Sequence, residues 1–248
     1  MFLKSLAALA AAAMLGLASP AAAQDSVKVG VTTTGVPFTF VDTATQKPTG
    51  AMVDLAAAIA KEIGATPSFE ITAFSALVPA LSTGKIDLIS AGMLATDARR
   101  QIIDFTDVVY SYGDGLFVSA KDKKDYALTD LKGEVVGAQV GTIFADVLKK
   151  VGGFKEIKQY DSIVDIMRDV KLGRIKAGIG DAPIVAYQIA KNPDLGVRLV
   201  PGYKPANLGD VALAVSKENP ALLAKVNAAI AKLKASGEIK KIFAKYGL

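Results

Sequence analysis

Residues 86–100, IDLISAGMLATDARR, bring together the groups that a carboxylate receptor needs. Residues 86–89 form a short apolar run between Gly84 and Gly92, the pattern of a strand covered on both faces. After a small-residue break, Thr96-Asp97-Ala98-Arg99 reads as a helix start, with Thr at the cap and an acid in the first turn. Open α/β sheets bind ligands at the carboxyl ends of their strands, so this loop falls where a site would form. Free backbone N–H groups at the helix start, joined by the Arg99 guanidinium, would hold a carboxylate. The plainer alternative is an arginine on a solvated helix face, and the rest of the chain must decide between them.

Composition removes most other chemistry. The 248 residues contain no Cys, no His and no Trp. A His-based triad, a cysteine nucleophile and an ordinary zinc or copper site are therefore out of reach, as are disulfides. The formal net charge of +5 comes from scattered Lys and Arg. A nucleic-acid footprint would cluster them on one face beside stacking aromatics, so no nucleic-acid partner is expected.

Residues 1–23 read as a secretory signal peptide: Lys4, then an Ala/Leu-rich run, then Ala21-Ala22-Ala23 before the cut. The run is too short to span a membrane, and no second apolar stretch of spanning length follows. With no lipid-bearing Cys, the mature chain is expected to be a free periplasmic protein of a Gram-negative cell and a monomer.

The elements that position the site alternate. Residues 27–31 and 38–41 read as extended, and Met52, Leu55, Ala56, Ile59 and Ile63 as one helix face. Residues 68–71, a helix over 76–81 and residues 86–90 continue the pattern. A second round follows Tyr112: strands at 115–120, 134–138, 156–160, 177–180 and 197–200, with helices at 142–151, from Ile163 and after Asp181-Ala182-Pro183. Here Asp181 reads as a helix cap. The tail gives one strand over 211–215 and two helices, too little to bury a core alone, so it should return to the first unit. The fold expected is α/β with two lobes, each a mostly parallel sheet flanked by helices, joined by two crossings. Residues 24–112 with 208–248 make one lobe and 113–207 the other. Gly113-Asp114 and Gly209-Asp210 mark the crossings, as hinges or as ordinary turns.

Across residues 27–247 the chain resembles the periplasmic polar-amino-acid binding proteins of ABC transporters, the family of the lysine/arginine/ornithine, histidine and glutamine binders. FSALVPAL at 74–81, GKID at 84–87, AGM at 91–93 running to Arg99, DFTD at 104–107, DLKG at 130–133, Gly141-Thr142 and Asp181-Ala182-Pro183 stand in the family's order. The resemblance implies a type II periplasmic-binding-protein fold. It also implies that Arg99 takes a ligand carboxylate, helped by backbone near Gly92 and by the Gly141-Thr142 loop. Asp181 would accept the ligand ammonium, and Phe74 would pack along the ligand side chain. No cofactor, metal or catalytic residue is implied; the partners are a small amino acid or derivative and a membrane permease.

Departures from the family pattern fall in its selectivity pocket. Thr32 stands where binders of cationic ligands place an Asp, Gly35 replaces an aromatic, and Leu94 and Ile143 replace hydroxyl residues. A missing carboxylate disfavours Lys or Arg, whose charge would be desolvated unpaired. A neutral, bulky or opine-like ligand is expected instead. The competing reading is a cyclohexadienyl or arogenate dehydratase on the same fold, using Asp181, Asp114 or Asp210 as acid; a third is the ligand-binding partner of a sensor.

Overall fold

Alternation in SVKVGV turns Val27, Val29 and Val31 to one side, and all three are buried in the first strand, β1 (Ser26–Val31). This computed structural model describes residues 26–248, so the segment read as an export signal lies outside them. A ribbon of β2 (Phe40–Val41) and β3 (Pro48–Thr49) leads into helix α1 (Ala51–Glu62). There follow β4 (Thr66–Ile71), a 3-10 turn at Phe74–Ala76 continuing into α2 (Leu77–Ser82), β5 (Leu88–Ile89), the one-turn helix α3 (Asp97–Arg100), β6 (Ile103–Phe105) and the long β7 (Tyr110–Ser119). The second round is β8 (Val135–Gln139), α4 (Phe144–Val151), β9 (Glu156–Tyr160), α5 (Ile163–Lys171), β10 (Ala177–Asp181), α6 (Ala182–Lys191) and β11 (Val197–Leu199). The tail is β12 (Leu208–Val211), β13 (Ala214–Ser216), α7 (Pro220–Ala235) and α8 (Glu238–Lys245).

Among the described residues two large sheets form, flanked by helices in a two-lobe fold. The first runs β4-β1-β5-β13-β6 and the second β11-β7-β10-β8-β9. Period-2 alternation divides the first sheet's core: Leu88 packs with the valines of β1 and the α1 stripe, while its neighbour Ile89 packs with Leu77 and Leu81 of α2. The tail is fastened to the first unit. β13 lies between β5 and β6, and Tyr246 and Lys245 bond Asp54 of α1 at 2.9 and 2.7 Å.

Three details depart from the sequence reading. Parallel pairing holds for β4-β1-β5 and for β10-β8-β9, where helices make the crossovers; β13 and β7 enter antiparallel, so both sheets are mixed. The run 211–215, expected as one strand, is two. Val211 pairs with Tyr110 of β7, and Ala214 pairs with Ile89 and Phe105 in the first sheet. Between them Leu213 bonds to Thr106 instead. One apolar segment thus serves two ladders, which hydropathy does not reveal. The two crossings are likewise strands rather than turns: β12 pairs with the start of β7, Leu208 opposite Gly113 and Gly209 opposite Tyr112. Among the described residues no helix is long and apolar enough to cross a membrane.

Candidate functional site

Parallel strands end together, and their carboxyl ends deliver the candidate residues. In the first lobe β4, β1 and β5 run in register, so the segments after Ile71, Val31 and Ile89 emerge side by side and carry Phe74, the 32–35 turn and the 90–94 loop. In the second lobe β8, β9 and β10 do the same, delivering Gly141-Thr142 and Asp181. Both sets meet in one gap.

Arg99 spans that gap. Thr96 caps α3 by accepting the Arg99 N–H at 3.3 Å, so that backbone donor is taken and the guanidinium is left to act. Nη1 donates to the Leu94 carbonyl at 2.6 Å, and Nη2 donates across the gap to the Gly141 carbonyl at 2.9 Å. A guanidinium has five N–H donors, and these two bonds leave three for a ligand. Its carbon lies 5.5 Å from the Phe74 ring centroid, a cation-π contact that holds the plane of the group. Burial lowers the Arg99 pKa, while Tyr112 and Asp181 act to raise it. A cavity of about 400 Å³ opens beside Arg99, bordered by Thr96, Gly141, Thr142, Ile143 and Asn207.

Asp181 ends β10 and stands at the N-cap of α6, yet its side chain makes no capping bond. The position at the cap is as read, but the side chain is engaged elsewhere: Tyr112 donates to Asp181 Oδ1, and the Tyr112 hydroxyl also sits 3.0 Å from the Gly92 carbonyl oxygen. Desolvation lifts the Asp181 carboxyl to about 6, against the pull of the Tyr112 hydrogen bond and the Arg99 charge. Burial and the adjacent Asp181 raise the Tyr112 phenol well above its ordinary value.

The remaining expected residues fall into two groups. Phe74, Gly92, Thr142 and Ile143 border the gap with Arg99 or Tyr112. The Thr142 hydroxyl donates back to the Gln139 carbonyl at 2.6 Å, which fixes the turn. Thr32 is buried with its hydroxyl 2.7 Å from that of Thr39, and a Cβ on Gly35 would meet this pair at 3.1 and 3.4 Å. The space left by Gly35 is thus beside two mutually bonded hydroxyls. Leu94 offers its carbonyl to Arg99, while its side chain is buried against Gly209 of β12.

Sequence reasoning missed Tyr112, which supplies the hydroxyl between the lobes. Tyr110 and Tyr112 are two apart on one strand and so share a face, a pattern that was available as a signal. It also missed the contact of Gln139 Nε2 with Thr34 Oγ1 at 3.3 Å and the close approach of Gly141 to Ser75. Such pairs, far apart in sequence, leave no local trace.

This arrangement can fix a small carboxylate-bearing molecule between two lobes. The chain is 33% identical over 223 residues, 90% of each chain, to ABC transporter arginine-binding protein 1 of Escherichia coli K12. Its structure matches an ancestral arginine-binding protein bound to arginine, with TM-score 0.83 and 34% identity over 89% of this chain and 97% of that one. A similar match, TM-score 0.80 and 29% identity over 89% and 94%, is to an ancestral amino-acid-binding protein described as a precursor of cyclohexadienyl dehydratase. The family model for bacterial extracellular solute-binding proteins, family 3, matches residues 27–248, and the chain belongs to that family.

Proposed function

We propose that this protein is the periplasmic solute-binding component of an amino-acid ABC importer. It captures an amino acid or amino-acid derivative by closing residues 24–112 with 208–248 against residues 113–207, and it delivers the closed form to the membrane permease. The observation that carries this reading is the Arg99–Gly141 bond: the group best suited to a carboxylate is already fastened across the gap. Arg99 takes the ligand carboxylate, and Asp181 on the other lobe, bonded to Tyr112, lies toward the ligand's nitrogen end. Each charge-assisted bond contributes about 1.5 to 3 kcal/mol, and the full sum is available only with the lobes together.

Relatives named for arginine do not set the ligand here. Thr32, bonded to Thr39, offers no carboxylate to a cationic side chain, and Ile143, which borders the cavity beside Arg99, is apolar. We favour neutral, bulky or opine-like ligands over Lys or Arg. Calorimetry with refolded, ligand-free protein and a panel of L-arginine, L-lysine, L-glutamine and an N-carboxyalkyl amino acid tests this. Tightest binding of L-arginine would contradict the preference, and no binding by any compound would contradict capture itself.

A second reading has one observation in its favour. A carboxyl held at about 6 is suited to protonating a leaving hydroxyl, and one structural match is described as a dehydratase precursor. Prephenate or arogenate turnover, followed by absorbance, would establish it.

A further inference from the structure

The Tyr112 hydroxyl stands between two acceptors from different lobes. The Gly92 carbonyl comes from the loop after β5 in the first, and the Asp181 carboxylate from the end of β10 in the second. A phenol has one proton and can donate to only one of them at a time. A primary ammonium at the same point would donate to both and keep a third N–H. The position is built for a cation, and the protein's own neutral hydroxyl fills it.

The ring is held there by its surroundings. Its centroid lies 5.7 Å from Phe38 and 6.4 Å from Tyr110, and Tyr110 stacks on Phe243 at 5.1 Å. Its backbone is paired with Gly209 in the β7–β12 ladder. Ejecting the phenol would disturb this aromatic group and strand a hydroxyl that now has two partners, a loss of the kind that decides specificity at buried polar sites.

We propose that Tyr112 is a specificity-determining residue: as the built-in occupant of the ammonium position, it makes the cleft select acids that present a carboxylate to Arg99 but no free primary ammonium to Asp181. N-substituted and desamino derivatives of amino acids are the class that fits. This rests on the capture reading above and narrows its ligand. An ordinary amino acid must displace the phenol before its ammonium gains anything, whereas a desamino acid binds with the phenol in place.

Calorimetry on the intact protein and on Tyr112→Phe, with L-glutamine and its desamino analogue glutaramate, tests the assignment. The native protein should bind glutaramate at least as tightly as L-glutamine. Tyr112→Phe keeps the ring and removes the hydroxyl; it should gain tenfold or more for L-glutamine and less than twofold for glutaramate. A native preference for L-glutamine of tenfold or more, or a variant weakened toward both, would overturn the proposal. Failure of the capture reading is a distinct result: no amino acid or derivative binds either protein.

Discussion

Arg99 and Gly141, 42 positions apart in sequence and on different lobes, are joined by a 2.9 Å hydrogen bond from Nη2 to the carbonyl oxygen. The same guanidinium is tied to its own lobe through the Leu94 carbonyl at 2.6 Å. On the proposed function, a charged group placed in this way couples two events, holding an anion and holding the lobes together.

Replacing Arg99 therefore acts on both. Arg99→Ala should weaken the tightest ligand found in the calorimetric panel by tenfold or more, in line with about 1.5 to 3 kcal/mol for a charge-assisted bond. Arg99→Lys should recover only part of this, because an ammonium cannot bridge two carbonyls and a carboxylate with a planar fork. Equal affinity for native protein and Arg99→Ala would remove Arg99 from the site.

Gly141 is where backbone meets backbone across the gap. Its φ is +76°, and a Cβ there would lie 2.7 Å from the Ser75 Cα. Gly141→Ala should prop the lobes apart, visible as a larger radius of gyration with ligand present and a tenfold or greater loss of affinity. Unchanged closure would show that this contact does not limit the approach of the lobes.

Asp181 links stability to pH. Its carboxyl is held at about 6 in the folded protein, chiefly by desolvation, against 3.8 ordinarily. Between roughly pH 4 and 6 the folded chain keeps a proton that the unfolded chain has released, so this group's contribution to stability falls as pH rises through that window. Asp181→Asn removes the titration while keeping an acceptor for Tyr112. The variant should match the native protein near pH 4 in urea denaturation and exceed it near pH 7 by up to about 3 kcal/mol. A variant less stable at pH 7 would contradict the assignment.

Phe38 supports the same region from beneath. It is fully buried, a Cβ on Gly92 would touch its ring at 3.2 Å, and it packs edge-on to Tyr110 at 5.7 Å. Phe38→Ala should destabilise the fold by about 3 to 5 kcal/mol, measured by denaturant unfolding. A loss below 1 kcal/mol would mean that the ring is dispensable to the packing under the site.

Local patterns made much of this legible. The Met52, Leu55, Ala56, Ile59 stripe and the valines of β1 announced their faces, and Thr96-Asp97 marked the start of α3. The place of Arg99 after an apolar strand marked it as a candidate, while the ligand-binding roles of Arg99 and Asp181 come from the resemblance to the family pattern. What stayed hidden depends on partners rather than on sequence neighbours. The 211–215 run reads as one strand because hydropathy does not record a change of ladder. Asp181 reads as a cap until Tyr112, 69 positions away, is seen to hold it. Thr32 reads as a pocket group until Thr39 is seen to take its hydroxyl.

The most direct test of the whole account is a crystal structure of the protein isolated without unfolding, so that any compound acquired in the cell stays bound. The account predicts a small acid in the gap, its carboxylate on the Arg99 guanidinium and its body in contact with both lobes. A bound compound that touches only one lobe, or that lies away from both Arg99 and Asp181, would contradict it.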